Sequence, residues 1–312
     1  MKIKKSRTLL SLSFIMVMLF TLLTGCAKSD TGASSNEAAT ETPTAAPSES
    51  TDTSAASGES DLLKEIKERG YIQIGSSNDA PFCYQDVDTN ELKGIDIEIL
   101  REICSRLGIP DIQLKVIDFS NLLVELNNGS IDMVVDGMYV KEERLQIAAF
   151  SDKWYQEGEA VVIPSDSTIA SKEDLAGKNI GAQPGTTFYD TAQVWLDASK
   201  IGNLTAYDNQ ATLMTAVNMG KVDAVVTDGI VAGYTLSSDS SLDLKLLAPY
   251  TAEASGQIGS AVRFEDEAFI TEVNTALNAM KEDGTLLEIL KGYGLTDDYF
   301  VGVEDGKTTN VK

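Results

Sequence analysis

Three short stretches carry chemistry by residue type. Gly185-Thr186-Thr187 stands where a predicted helix opens, so free backbone N–H groups, two hydroxyls and the positive end of a helix dipole meet there. That suits a carboxylate, although a threonine at such a position also serves as an ordinary N-cap. Arg144, in Glu142-Glu143-Arg144, offers a planar fork for the same carboxylate; a lone arginine on a helix is more commonly solvated. Asp228, in Thr227-Asp228-Gly229, offers an acceptor for an ammonium or a cap for a helix at 229–236. Phe119 and Tyr139 have ring faces that stack on a ligand or fill a core, and Asp79 and Asp136 add two carboxylates. Each feature is weak alone. Together they describe recognition of a small molecule that carries both charges.

All of them fall just after strand-like runs, and open parallel sheets bind ligands beyond the C-terminal ends of their strands. Tyr71–Gly75 reads as a strand followed by Ser76 to Phe82. Ile95–Leu107 has apolar residues at 95, 99, 100, 103 and 107, the spacing of an amphipathic helix, and Gly108 and Pro110 stop it. Ile112–Ile117 is a strand, Leu122–Leu126 a short helix with Ser120 expected as its cap, and Ile131–Val135 a buried strand. The rhythm recurs with strands at Asn179–Ala182, Leu204–Tyr207 and Val222–Val226 and helices at Thr187–Leu196 and Thr212–Asn218. A phrase recurs too: Asn128-Gly129-Ser130-Ile131-Asp132-Met133-Val134-Val135 resembles Met219-Gly220-Lys221-Val222-Asp223-Ala224-Val225-Val226, as two buried strands also can by chance. Phe269 to Met280 forms one helical stripe and a shorter helix follows Gly284. The reading is an α/β protein of two lobes, each a mainly parallel sheet flanked by helices, with the final helices returning to the first lobe.

Composition removes other chemistries. The 312 residues hold no histidine, three cysteines and a formal charge of −23. No Ser-His-Asp or Cys-His nucleophile, no His-ligated metal and no four-thiolate zinc site is possible, and no cofactor is expected. The acidity argues against nucleic acid as a partner. Residues 1–25 read as a leader: Lys2, Lys4, Lys5 and Arg7 precede an apolar stretch from Leu9 to Leu23, short for a membrane span. Leu23-Thr24-Gly25-Cys26 resembles a bacterial lipobox, which implies cleavage before Cys26 and lipid attachment to it, hence a membrane anchor. The Ala/Ser/Thr-rich stretch to residue 60 is expected to be a disordered tether.

Over roughly residues 62–300 the chain resembles a family 3 extracellular solute-binding protein, the amino-acid receptor of an ABC importer. The carriers are Pro81-Phe82, Leu92-Lys93-Gly94-Ile95-Asp96-Ile97-Glu98-Ile99, Asp118-Phe119-Ser120, Gly129-Ser130-Ile131-Asp132, Glu143-Arg144, Phe150-Ser151, Asp174-Leu175-Ala176-Gly177-Lys178, Gly185-Thr186-Thr187 and Asp283-Gly284-Thr285. The resemblance implies a two-lobed periplasmic-binding-protein-like (type II) fold with two hinge strands, near Ala160–Ile163 and Gln257–Ala261. Residues 61–160 and 257–302 would form lobe 1, residues 161–256 lobe 2, and residues 303–312 a tail. It implies Arg144 and Thr186 on a ligand carboxylate, Asp228 and the main chain of Gly137 on an ammonium, Phe119 as an aromatic wall and Gln183 at the ligand side chain. It further implies a membrane permease as partner and an extracytoplasmic, lipid-anchored location.

The sequence departs from the family at Tyr139, where Thr or Ser is usual, near Asp79, where an aromatic is common, and at Asp136, where a small residue is usual. Extra acids beside Asp228 favour a ligand with a second cation, such as arginine or lysine, unless they point to solvent at the rim. Cys83 and Cys104 fit a disulfide or two buried thiols. The competing reading is an enzyme, a periplasmic dehydratase-like protein on the same scaffold, with Asp79 or Asp136 as acid. A sensor domain is a third reading, one that calls for an attached kinase or second membrane span.

Overall fold

The computed structural model describes residues 59–304 and the backbone of 307–310. The leader, Cys26 and the tether through residue 58 lie outside the described residues. The first helix, α1 (Asp61–Arg69), is capped by the Ser60 hydroxyl, which accepts from the Leu63 N–H, and buries Leu62, Leu63 and Ile66. It leads into β1 (Ile72–Ser76), a short hairpin of β2 (Tyr84–Gln85) and β3 (Leu92–Lys93), and α2 (Ile95–Leu107). Ile95, Ile97, Ile99, Leu100 and Ile103 of α2 are buried, each worth about 1.5–3 kcal/mol of transfer free energy. Gly108 ends α2 in the left-handed region.

Next come β4 (Ile112–Val116), α3 (Leu122–Asn127), β5 (Met133–Val134), α4 (Glu142–Leu145) and β6 (Ala149–Phe150). Asn121, not Ser120, stands at the start of α3, because residues 119–121 wind into a 3-10 turn held by the Asn121 N–H on the Asp118 carbonyl. A long strand, β7 (Tyr155–Pro164), then leaves the first sheet. The second half runs β8 (Asn179–Ala182), α5 (Thr187–Asp197), β9 (Asn203–Ala206), α6 (Gln210–Asn218), β10 (Ala224–Asp228), α7 (Gly229–Ser238), β11 (Leu244–Leu246) and β12 (Ser255–Ile258). The chain returns through β13 (Ala261–Val262), α8 (Glu267–Glu282) and α9 (Thr285–Gly292), and closes with a hairpin of β14 (Val301–Glu304) and β15 (Lys307–Asn310) that the fading sequence pattern did not announce.

Two sheets result, with orders β4-β1-β5-β13-β6 and β11-β7-β10-β8-β9. In each, three strands form a parallel set about the first strand of that half: β1 lies between β4 and β5, and β8 between β9 and β10. The segments that cross back add antiparallel neighbours: β13 beside β5, and β7 beside β10. Two strands join the lobes. Tyr155–Gly158 of β7 pairs with Ser255–Ile258 of β12, and β7 enters the second sheet from Glu159 onward. The first crossing therefore lies N-terminal to the expected Ala160–Ile163, whose residues 160–162 already pair with β10.

The repeated phrase has a structural cause. The Asp132 N–H donates to the Gln73 carbonyl while its carboxylate accepts the Gln73 N–H. The Asp223 N–H donates to the Asn179 carbonyl while its carboxylate accepts the Asn179 N–H. Each aspartate clasps the strand beside it, and Gly129 and Gly220 before them take the positive φ that turns the chain out of the preceding helix. Cys83 and Cys104 are both buried, free thiols.

Candidate ligand site between the lobes

A narrow cavity of about 10 Å³, room for about one water molecule, lies where the strand ends of both lobes face each other. All ten residues singled out in the sequence line it: Asp79, Phe119, Asp136, Gly137, Tyr139 and Arg144 from lobe 1, and Gln183, Thr186, Thr187 and Asp228 from lobe 2.

Arg144 sits on α4 and is buried. Its Nη1 donates to the Tyr139 carbonyl at 2.7 Å and its Nη2 crosses to the Gly185 carbonyl at 2.9 Å. The guanidinium lies 5.5 Å from the Phe119 ring centroid, a cation–π contact. Burial lowers it to about 10, so it stays charged at neutral pH. Opposite it, Thr186 is the N-cap of α5: its hydroxyl accepts the Tyr189 N–H at 3.1 Å and donates to the Gln183 carbonyl at 2.7 Å. That hydroxyl is spent on the cap. The hydroxyl of Thr187, one residue on, has no hydrogen-bond partner among the described residues. Gly185 holds φ at +82°, and a Cβ there would meet the Ser120 backbone at 3.0 Å, so glycine permits the lobes to touch at this point.

The acidic side is denser than the sequence suggested. Asp228 ends β10 and is buried, with burial raising its pKa. Against it lies the Glu157 carboxyl, pushed well up first by burial and then by the Asp228 charge, so Glu157 holds the proton the pair shares. Asp79 is raised well above the carboxylate range by burial and by the charges of Asp136, Asp228 and Asp96. Asp136 is pushed up to about 7 by burial, although it accepts hydrogen bonds from the Ser77 N–H at 2.8 Å, the Ser77 hydroxyl at 2.6 Å and the Ser76 hydroxyl. Asp136 thus holds the loop that carries Asp79. Asp96, raised to about 6 by burial, accepts the Gly137 N–H at 2.7 Å and the Tyr155 hydroxyl at 2.6 Å. Gly137 therefore has its carbonyl, not its N–H, to offer a ligand.

Tyr139 reaches from lobe 1 to lobe 2 and to the second connecting strand. Its ring meets Phe188 of lobe 2 edge-on at 5.5 Å and lies over Gly256 of the second connecting strand. Its buried hydroxyl has no well-formed hydrogen bond, and burial with Glu157 beside it raises the phenol further. Two more contacts join the lobes at the rim: Lys141 Nζ to Asp190 at 3.0 Å and the Tyr84 and Tyr234 hydroxyls at 3.2 Å.

Four residues were not singled out in the sequence. Phe82, Phe188 and Gln210 also line the cavity, and Gln210 is fixed there by the Thr227 hydroxyl at 2.6 Å. Glu157 lies against Asp228, outside the cavity lining, and a signal for it existed: β7 alternates, placing Tyr155, Glu157, Glu159 and Val161 on the buried face. Among the described residues no group of three or more Cys, Asp or Glu is arranged to hold a metal ion.

The family model for bacterial extracellular solute-binding proteins, family 3, matches residues 72–296. The chain is 28% identical to the L-cystine-binding protein TcyJ of Escherichia coli (strain K12) over 72% of this chain and 83% of that protein. It is 29% identical to the arginine-binding extracellular protein ArtP of Bacillus subtilis (strain 168), over 76% and 90%. Among solved structures, an ancestral arginine-binding protein bound to arginine superposes with a TM-score of 0.66 at 30% identity, over 72% of this chain and 98% of that one. The ancestral amino acid-binding protein AncCDT-1, a precursor of cyclohexadienyl dehydratase, gives 0.66 at 26% identity, over 75% and 99%. The family match spans both sheets and both strands that connect them, and the chain belongs to the bacterial extracellular solute-binding proteins, family 3.

Proposed function

We propose that this protein is the extracytoplasmic receptor of an ABC importer, anchored by lipid at Cys26, which captures a polar or cationic amino acid or a related zwitterion by lobe closure and delivers it to a membrane permease. One observation carries the reading. Arg144 from lobe 1 and Thr187 and Asp228 from lobe 2 face one cavity, so the groups that fit a zwitterion's carboxylate and ammonium converge from both lobes. A ligand carboxylate meets the Arg144 fork and the start of α5; its ammonium meets Asp228 and the Gly137 carbonyl. These contacts exist together only when the lobes meet, so binding shifts the population toward closure. The tether keeps the receptor near its permease and raises its effective concentration there.

The test is a thermal-shift screen of the purified protein against amino acids, polyamines and ectoine-like zwitterions. A ligand at one hundred times its Kd adds about 2.7 kcal/mol, which raises the melting point by roughly 5–10 °C in a domain of this size. No shift with any amino acid or zwitterion in the screen would overturn the reading. The raised Asp79 and Asp136 carboxyls also favour a second reading, a dehydratase-like enzyme with one of them as general acid. Turnover of prephenate or arogenate would establish that reading in place of the first.

A further inference from the structure

Tyr139 touches both halves of the carboxylate site and the strand that joins the lobes. Residues 138–140 run antiparallel to 257–259: the Val140 N–H donates to the Gln257 carbonyl at 2.9 Å and the Gly259 N–H to the Met138 carbonyl at 3.0 Å. Tyr139 faces Ile258 between these two bonds, so its own carbonyl turns away from the connecting strand. That carbonyl accepts Arg144 Nη1 at 2.7 Å and fixes the guanidinium on lobe 1. The Tyr139 side chain runs back along β12 over Gly256, where a Cβ would come within 2.1 Å of the ring. Past that glycine the ring meets Phe188 of lobe 2 at 5.5 Å, with the two planes 81° apart. Phe188 is the second residue of α5 and is buried. It directly follows Thr187, whose hydroxyl has no hydrogen-bond partner among the described residues. Tyr139, Arg144, Thr187 and Phe188 all line the cavity.

We propose that Tyr139 is a positioning residue that aligns the two halves of the carboxylate site, aiming Arg144 through its carbonyl and the opening turn of α5 through its ring on Phe188, so that preference for a ligand carboxylate depends on that ring. The proposal rests on the receptor reading above and deepens it. A guanidinium fork and a helix start serve one carboxylate only if their relative place is kept to within about 0.5 Å, and here they sit on different lobes. The fork already reaches lobe 2 at the Gly185 carbonyl. The Tyr139–Phe188 contact adds a second crossing point three residues further along the chain of lobe 2, and it is apolar and buried on both sides. Edge-to-face aromatic pairs have a preferred tilt as well as a preferred distance, so this contact fixes the orientation of α5 and not only its separation from lobe 1. Because the ring also rests on the backbone of β12 at Gly256, the connecting strand, the fork and the helix start share one side chain as their common reference.

The experiment is calorimetric titration of the purified protein with the common L-amino acids and L-cystine, then with the α-carboxamide of the one bound most tightly, which keeps the side chain and the ammonium but has no carboxylate. The unmutated protein is expected to favour the amino acid over its carboxamide by about tenfold or more. Tyr139→Ala is expected to weaken the amino acid by about tenfold while the carboxamide changes by less than about threefold, so the preference contracts. Tyr139→Phe keeps the ring and the carbonyl and is expected to bind within about threefold of the parent. Phe188→Ala is expected to contract the preference as well, and the double variant no further than the worse single one, because the two rings act as one contact. Where an alanine variant shows no melting transition, Tyr139→Leu and Phe188→Leu take its place. A Tyr139→Ala protein that keeps the parent's preference, whether or not both affinities fall, has lost packing alone. A Tyr139→Phe protein that binds as weakly as Tyr139→Ala has its phenol, not its ring, at the carboxylate. Either result, or equal binding of both probes by the parent, would overturn the inference while the receptor reading stands. Binding of no amino acid at all would remove both.

Discussion

Replacing Arg144 with alanine separates ligand recognition from folding. The side chain makes two backbone hydrogen bonds, to Tyr139 and Gly185, each worth about 0.5–1.5 kcal/mol net, and only the second joins the lobes. Against that loss stands the relief of a buried guanidinium's desolvation. The ligand-free protein is therefore expected to keep a melting point within about 5 °C of the parent. The bound state loses far more, because a ligand carboxylate is left buried without its countercharge. Truncating one partner of a buried, hydrogen-bonded charge pair costs about 2–5 kcal/mol, or roughly a 30- to 4,000-fold rise in Kd. Arg144→Lys keeps the charge but not the fork and is expected to fall between the two. Titration calorimetry with the best ligand from the screen reads the effect. An Arg144→Ala protein that binds within threefold of the parent would refute the assignment of the carboxylate to this residue.

Other consequences follow from the same geometry. Asp96 and Asp136 sit at about 6 and about 7 in the folded protein, above the ordinary carboxylate range near 4. Their contribution is fully present below that range and is lost as pH rises through 6 and 7, because the unfolded chain then ionises them more readily; the ligand-free melting point is expected to fall between pH 5 and 8, less so in Asp136→Asn. A Cβ on Gly256 would come within 2.1 Å of the Tyr139 ring, so Gly256→Ala is expected to lower the melting point by an amount equivalent to about 1–3 kcal/mol and weaken binding, while Gly292→Ala, with open space around it, leaves binding unchanged. Asp132 is buried and also pairs with Arg69, whereas Asp223 is exposed, so chemical denaturation is expected to show a larger loss for Asp132→Asn, about 1.5–3 kcal/mol, than for Asp223→Asn.

The cavity-lining residues were legible because strand ends are legible. Apolar runs such as Ile112–Val116 and Asn179–Ala182 announce themselves, and the residues just past them must lie at one edge of a parallel sheet. The repeated phrase gave weaker evidence in sequence than it merits in structure, since the shared feature is an aspartate clasp and not the apolar letters around it. Thr186 and Thr187 show a finer limit: both hydroxyls stand at one helix start, and only the hydrogen bonds reveal that the first is spent on the cap. Glu157 was missed because Tyr155-Gln156-Glu157-Gly158-Glu159 reads as a polar connection, while its alternation buries the acids and exposes the glutamine side. Phe82, Phe188 and Gln210 come from three separate segments and meet only through tertiary packing.

A crystal structure of the protein with its tightest amino acid measures the central claim directly. The account predicts the ligand carboxylate on the Arg144 guanidinium and the opening turn of α5, and the α-ammonium on Asp228, with both lobes in contact. A ligand held by one lobe alone, or seated away from Arg144 and Asp228, would contradict it.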